Sequence, residues 1–351
     1  MDKLGRITLV CATFRYNSSD LNAQSRKSNS ISTRIKPLQY EIDKENHMED
    51  TLVKAMALDD RVRFFIVRST DLVQDAVDRF DLSPAAGDAL GRVLSIASIM
   101  GSMLKSPKEM LTINILGNGP FGSIVVDAYE SGNVRGFVAN GQLEGEQANW
   151  PVNALIGLPG TLTITKDLSM EENWSGTVEL QTGEIGQDFA YYFTLSEQTP
   201  TAVSVGVKID TTGQVEAAGA LILQMMPDAT DTEVSICEHV LSGLKPMTTL
   251  IEYYEDSSLE QLAYDLFDDT KIMDHRSIAF KCTCSREKTK SVLHTISADQ
   301  LQKMIDEDHG ADVNCNFCNE TYHFDTQELQ EILDQNKNNK KESEQTETHD
   351  A

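Results

Sequence analysis

Four of the chain's six cysteines stand near the C-terminus as Cys282-Thr-Cys284 and Cys315-Asn-Phe-Cys318, a CxC and a CxxC separated by thirty residues. Two thiol pairs, each able to chelate from a tight turn and brought together by the chain between them, form the pattern of a four-thiolate zinc site. Four thiolates fill a tetrahedron and leave no coordination position for water, so the pattern speaks against a hydrolytic zinc enzyme. No HExxH occurs, and Gly117-Asn-Gly-Pro120 reads as a turn, because it lacks the spacing and the lysine of a phosphate loop. Disulfides are the competing use of an even cysteine set, but no segment resembles a secretory signal peptide, so the thiols are expected to be reduced at rest. Cys11 and Cys237 have no partner at ligand spacing and are assigned to packing. His294 and His323 fall within or just after the cluster; with four cysteines available both are left out of the ligand set, and His323 is expected in a strand packed near the metal.

Such a site has consequences beyond its own geometry. A segment of about 44 residues buries too little surface to fold alone, whereas bound zinc contributes roughly 10–16 kcal/mol to small domains. Zinc also keeps sulfur as thiolate, the form that oxidants attack, so an accessible site can act as a redox sensor. Cys315 with Cys318, and Cys282 with Cys284 in a tighter ring, are close enough in sequence for local disulfides, but such short cross-links recover little order. Disorder would then spread into the acidic segment before Cys282 and bare the apolar stripe of Leu259, Leu262 and Leu266. The CxxC pair alone leaves open a second use, as a thiol–disulfide oxidoreductase.

The elements that must position these cysteines follow from periodicity. Helical patterns run from Thr70 to Leu104, with Val73, Ala76, Val77 and Phe80 on one face and Ser83-Pro84 as the start signal of a second helix. Strand patterns follow around Leu111–Ile115, Ser123–Val126, Val134–Val138, Thr161–Thr165 and Thr177–Leu180, then a helix over 184–196, then strands at Ala202–Ile209 and Ala220–Met226. Runs of strands beside runs of helices predict an α+β fold with antiparallel strands for residues 48–226. Residues 227–281 carry twelve Asp or Glu against four Lys or Arg and still show helical stripes, one through Val234, Cys237, Val240 and Leu241 and one capped by Ser258. They are read as a helical linker, with two ordinary helices docked on the main domain as the alternative. Residues 282–330 form the small zinc-binding domain, in which Ser297-Ala-Asp-Gln300 predicts a helix start and Gly310 its end. The Ser-, Asn- and Lys-rich extension over 1–47 and the polar tail over 331–351 are expected to be disordered.

A formal net charge of −25 over 351 residues argues against a nucleic-acid partner, and residues 282–329 hold four Lys or Arg against nine Asp or Glu where a phosphate-binding zinc ribbon would need the reverse. No apolar run approaches the roughly 20 residues that span a bilayer. The chain is read as cytoplasmic, with organellar targeting by residues 1–47 as the alternative.

The CxC and CxxC at this spacing, Gly117-Asn-Gly-Pro120, the stretch Glu184-Ile-Gly-Gln-Asp-Phe-Ala-Tyr-Tyr-Phe-Thr-Leu-Ser-Glu-Gln-Thr-Pro200 and Ala217-Ala-Gly-Ala-Leu-Ile-Leu-Gln-Met-Met-Pro227 together closely resemble the redox-regulated holdase chaperones of the 33-kilodalton heat-shock protein family, from about Met48 to Phe324. The resemblance implies an ATP-independent chaperone, not an enzyme, with an N-terminal α+β domain, a metastable linker and a C-terminal zinc switch. It implies one zinc ion per chain on Cys282, Cys284, Cys315 and Cys318 in the reduced, inactive state. It further implies disulfides Cys282–Cys284 and Cys315–Cys318 on oxidation, with zinc release, linker unfolding, a homodimer formed through the N-terminal domain, and binding of unfolding client proteins. The first 47 residues depart from the family pattern.

Overall fold

The computed structural model describes residues 49–347; the 1–47 extension and Cys11 lie outside them. The chain opens with a hairpin, β1 (Thr51–Ala57) and β2 (Val62–Arg68), whose alternation sends successive side chains to opposite faces. Leu52, Phe65 and Val67 enter one core, while Val53, Ala55, Phe64 and Ile66 enter another. This sheet is therefore covered on both sides. Its first face receives α1 (Thr70–Phe80) and α2 (Pro84–Gly101). Proline at the first turn starts α2 as predicted, but the Ser83 hydroxyl donates to the Gly141 carbonyl instead of capping the helix. From Ala86 to Gly101 this helix is buried almost all round, which explains its apolar, small-residue composition. At Gly101 a Cβ would lie 2.5 Å from the Tyr129 carbonyl oxygen, so only glycine lets the helix end meet the second sheet.

That second sheet contains β3 (Met110–Leu116), β4 (Ser123–Tyr129), β5 (Val134–Val138), β6 (Thr161–Asp167) and β7 (Trp174–Glu179), in the order β5-β4-β3-β6-β7, all antiparallel. The short α3 (Val152–Ile156) and α4 (Ile185–Leu195) add Leu155, Ile156, Phe189 and Phe193 to the first core. Then β8 (Thr201–Ile209) and β9 (Val215–Met225) return to the first sheet.

The acidic segment packs on the second face of the first sheet. It forms α5 (Asp231–Gly243), α6 (Met247–Tyr253) and α7 (Leu259–Leu266), which place Val234, Cys237, Leu241, Met247, Leu250, Ile251, Leu259 and Leu262 against Phe64, Ile66, Leu221 and Leu223. Polar ties reinforce the cover. Arg61 pairs with Glu233 at 2.7 Å, the buried Arg68 donates to the Tyr254 carbonyl at 2.6 Å, and Asp269 accepts from the Leu58 and Asp59 backbone N–H groups.

Three expectations differ from the structure. Residues 271–277, placed in the helical linker, form strand β10 (Lys271–Ser277), which completes the first sheet in the order β10-β1-β2-β9-β8. The strand is an edge, its outward positions carrying Lys271, Met273, His275 and Ser277, and the charge there hides the alternation. The tail is also not disordered from 331. Beyond α8 (Arg286–Leu293), α9 (Ala298–Asp306), β11 (Gly310–Asn314) and β12 (Thr321–Asp325), helix α10 runs Thr326–Glu347, because Leu329, Ile332 and Leu333 lie on one helical face and bury beside Leu293, Leu301 and Phe324. Gly310 does not end α9, which stops at Asp306; with φ +150 it opens β11. No described helix is long and apolar enough to cross a membrane. The α+β architecture with antiparallel sheets is as predicted.

Candidate metal centre

The CxC pair is delivered by a sheet edge. After β10 the chain adds to β5 in parallel fashion through a bridge from Val134 to Phe280. The Val134 N–H donates to the Ala279 carbonyl at 3.1 Å and the Lys281 N–H donates to the Val134 carbonyl at 2.7 Å. Phe280 is buried, with the Arg79 guanidinium 5.3 Å from its ring centroid. Cys282 and Cys284 follow at once, and the Ser285 hydroxyl accepts from the Lys288 N–H to start α8.

The CxxC pair sits in the turn of the β11–β12 hairpin. The Cys318 and Asn319 N–H groups donate to the Cys315 carbonyl at 3.2 and 2.8 Å, and the Cys315 N–H donates to the Glu320 carbonyl at 2.8 Å. Asn319 takes a left-handed conformation, φ +59, that asparagine tolerates, and its amide donates to the Arg79 carbonyl at 2.8 Å. Both pairs therefore rest on the main body as well as on each other.

All four sulfurs lie within 4.8 Å of one another. Across the pairs, Cys282 and Cys315 stand 3.8 Å apart and Cys284 and Cys318 3.4 Å apart. A tetrahedral ion with Zn–S bonds of about 2.3 Å requires sulfurs about 3.8 Å apart. The donor set fits. Burial opposes ionisation of Cys282, yet the Cys284 backbone N–H, the Arg135 guanidinium and the neighbouring thiols bring it down to about 7. Burial raises Cys315 and Cys318, and for Cys318 the neighbouring sulfurs add to the rise. A cation among the four sulfurs would offset the burial that resists ionisation and favour the thiolate form.

His323 lies in β12 but is exposed, its Nδ1 2.7 Å from Asp312 Oδ1 across the hairpin. His294 Nδ1 faces Asn336 Oδ1 at 3.0 Å. Neither joins the thiol cluster. Cys237 is buried in the second core, where burial pushes its thiol up to about 12.

Several groups at the site were not anticipated. Arg135 Nη1 donates to Cys282 Sγ at 3.4 Å, and the Tyr322 hydroxyl lies 3.3 Å from Cys284 Sγ. Phe317, inside the CxxC, packs edge-on against Phe137 with centroids 5.5 Å apart. No local pattern marks Arg135, which stands 147 residues before its cysteine. The alternation of β12 places Tyr322 on the strand face opposite His323, the only signal that pointed to it.

The described fold and cysteine geometry agree with what comparison with known proteins shows. The Hsp33 protein family matches residues 50–325. The 33 kDa chaperonins of Bacillus cereus (strain B4264) and Bacillus anthracis (strain CDC 684 / NRRL 3495) are each 41% identical over 292 residues, covering 82% of this chain and 99% of theirs. The crystal structure of the 33 kDa chaperonin (heat shock protein 33 homolog) from Thermotoga maritima superposes with a TM-score of 0.74 at 32% identity, over 82% of this chain and 98% of that one. A match that spans most of the chain and nearly the whole of each relative identifies this protein as a member of the Hsp33 chaperone family.

Proposed function

We propose that the chain is a redox-regulated, ATP-independent holdase that binds unfolding proteins and prevents their aggregation. The observation that carries the reading is the placement of the four thiols. They sit where the chain leaves the edge of the second sheet, directly after the edge strand β10 of the first sheet and the helices that cover its apolar second face. Residues 48–226 would supply the client-binding and dimerisation body, 227–281 the cover, and 282–330 the switch.

In the reduced state Cys282, Cys284, Cys315 and Cys318 would hold one zinc ion, whose charge would neutralise the thiolates and cross-link the module. Two molecules of hydrogen peroxide, one for each pair, would each take two electrons and, with two protons, leave as two waters, joining Cys282 to Cys284 and Cys315 to Cys318. The disulfide sulfurs can no longer hold the ion, and the short rings they close restore little order. The module then ceases to anchor Lys281 and β10. Helices α5–α7 come away, and Phe64, Ile66, Leu221 and Leu223 become a surface for clients. The active form is a homodimer in the cytoplasm, and no step requires catalytic turnover.

The test follows metal content and suppression of thermal aggregation of an unrelated protein on the same zinc-loaded sample, before and after peroxide with mild warming. Metal loss with new aggregation suppression, both reversed by reductant, is the expected result. Metal retained with no gain of activity overturns the reading, and catalytic turnover of a disulfide substrate would instead favour an oxidoreductase built on Cys315 and Cys318.

A further inference from the structure

Arg135 of β5 reaches both halves of the cysteine module, Cys282 in the CxC and Phe317 inside the CxxC. Its Nη1 donates to Cys282 Sγ and to the Thr283 hydroxyl, each at 3.4 Å, on the CxC side. Its guanidinium carbon lies 4.3 Å from the ring centroid of Phe317 on the CxxC side. The arginine is not free to wander. Nε and Nη2 donate to Asp127 Oδ2 at 3.0 and 2.8 Å, across the β4–β5 ladder where Asp127 and Arg135 are direct partners. The Thr112 hydroxyl on β3 donates to the other Asp127 oxygen at 2.7 Å. Asp127 is 3% exposed. Three strands thus hold one guanidinium in place, and a guanidinium so fixed loses little freedom when it binds a sulfur and stacks on a ring.

We propose that Arg135 is a positioning residue that clasps the cysteine module to the second sheet and reports the state of both pairs to the chain edge beside it. The inference rests on the redox reading given above. A thiolate at Cys282 attracts the guanidinium, whereas a sulfur joined to Cys284, its electrons passed to peroxide and water formed, carries no charge to attract it. Joining Cys315 to Cys318 re-forms the turn that carries Phe317 and withdraws the ring. Both changes reach Arg135 together. The neighbouring residue, Val134, holds the Ala279 and Lys281 backbone, and those residues continue directly from β10. Release of the clasp therefore loosens the sheet edge from which the cover of the first sheet begins.

The test uses the full-length, reduced chain loaded with Co2+ in place of zinc, and compares wild type with R135Q, R135K and F317A. Two quantities are read: the thiolate-to-cobalt charge-transfer band, and amide exchange at residues 279–281. R135Q is expected to keep one Co2+ per chain, shift the band, and exchange at 279–281 on the order of tenfold faster, as loss of a charge-assisted contact predicts. R135K, which keeps the charge without the fork, should return the band toward wild type. F317A should raise the same exchange from the module side while β3 and β4 stay protected, so the inference is still tested if R135Q fails to fold. Wild-type exchange at 279–281 in F317A, or an unshifted band in a folded R135Q, overturns the clasp. Because every reading is taken on reduced protein, a wild type that gains no client binding on oxidation defeats the proposed function without affecting this result.

Discussion

The main body and the cysteine module are held together by different means. In the body, two cores on either side of the first sheet bury Phe64, Phe65, Phe121, Phe189, Tyr192 and Phe193 completely, and sheet ladders and helices satisfy the backbone around them. In the module, Leu293, Leu301, Phe324, Leu329, Ile332 and Leu333 form one small core, and apart from Gly310 and Phe324 its hairpin strands are half-exposed or exposed. A core of that size cannot offset the conformational entropy of the residues it orders, whereas the body's cores can. On the proposed reading this difference assigns the roles: the body would persist without a ligand, and the module would depend on its four thiols. Helices α5–α7 lie between these regimes, apolar enough to dock and acidic enough to remain soluble when released.

The sharpest way to break that comparison is to remove two ligands. The double variant C315S/C318S should lose the metal altogether and with it a contribution on the order of 10 kcal/mol, enough to unfold the module. Metal content should fall to near zero and amides of β11, β12 and α9 should lose protection, while those of β3, β4 and β9 keep it. If the module stays protected without metal, its apolar core is sufficient and the contrast fails.

A second variant separates the cover from the switch. Leu262 is 3% exposed in α7, and L262A should weaken the cover by about 2–5 kcal/mol. The expected result is aggregation suppression by the reduced protein with its metal content unchanged. Reduced L262A that folds with a loosened cover yet holds no client would show that the face beneath α7 is not the client surface.

The smallest effect is electrostatic. Donors from the Thr230 hydroxyl and backbone, with Arg61, hold Glu233 down at about 2, below its ordinary 4.5, in a capping box that starts α5. A carboxylate whose folded value is depressed stabilises fully above its unfolded value and loses that contribution as pH falls through the folded one. Amide protection of α5 should therefore decline between about pH 4.5 and pH 2, and E233Q should flatten that decline in exchange measurements.

The cysteines were legible in the sequence because chelation is local: each pair announces itself within three or four residues. Most elements of the body were legible for a related reason, since the periodicity of α1, α4, β3 and β8 is dictated by a fully buried face. Strand β10 was hidden because an edge needs only one weakly buried face, here Ile272, Asp274 and Arg276. Helix α10 was hidden by the polar composition that follows the three apolar residues which dock it. Arg135 had no comparable signal because its cysteine is set by how the module lands on the sheet; Asp127 and Tyr322 meet their partners across the second sheet and within the module, far from them in the chain.

Loss of the thiol site should be felt by the cover. The direct measurement is amide exchange across the full-length protein, zinc-loaded and reduced, then after peroxide with mild warming. Residues 231–277 should lose protection together with residues 282–325, while β3, β4, β6 and α2 remain protected. Loss confined to residues 282–325, with α5–α7 and β10 as protected as before, would contradict that coupling.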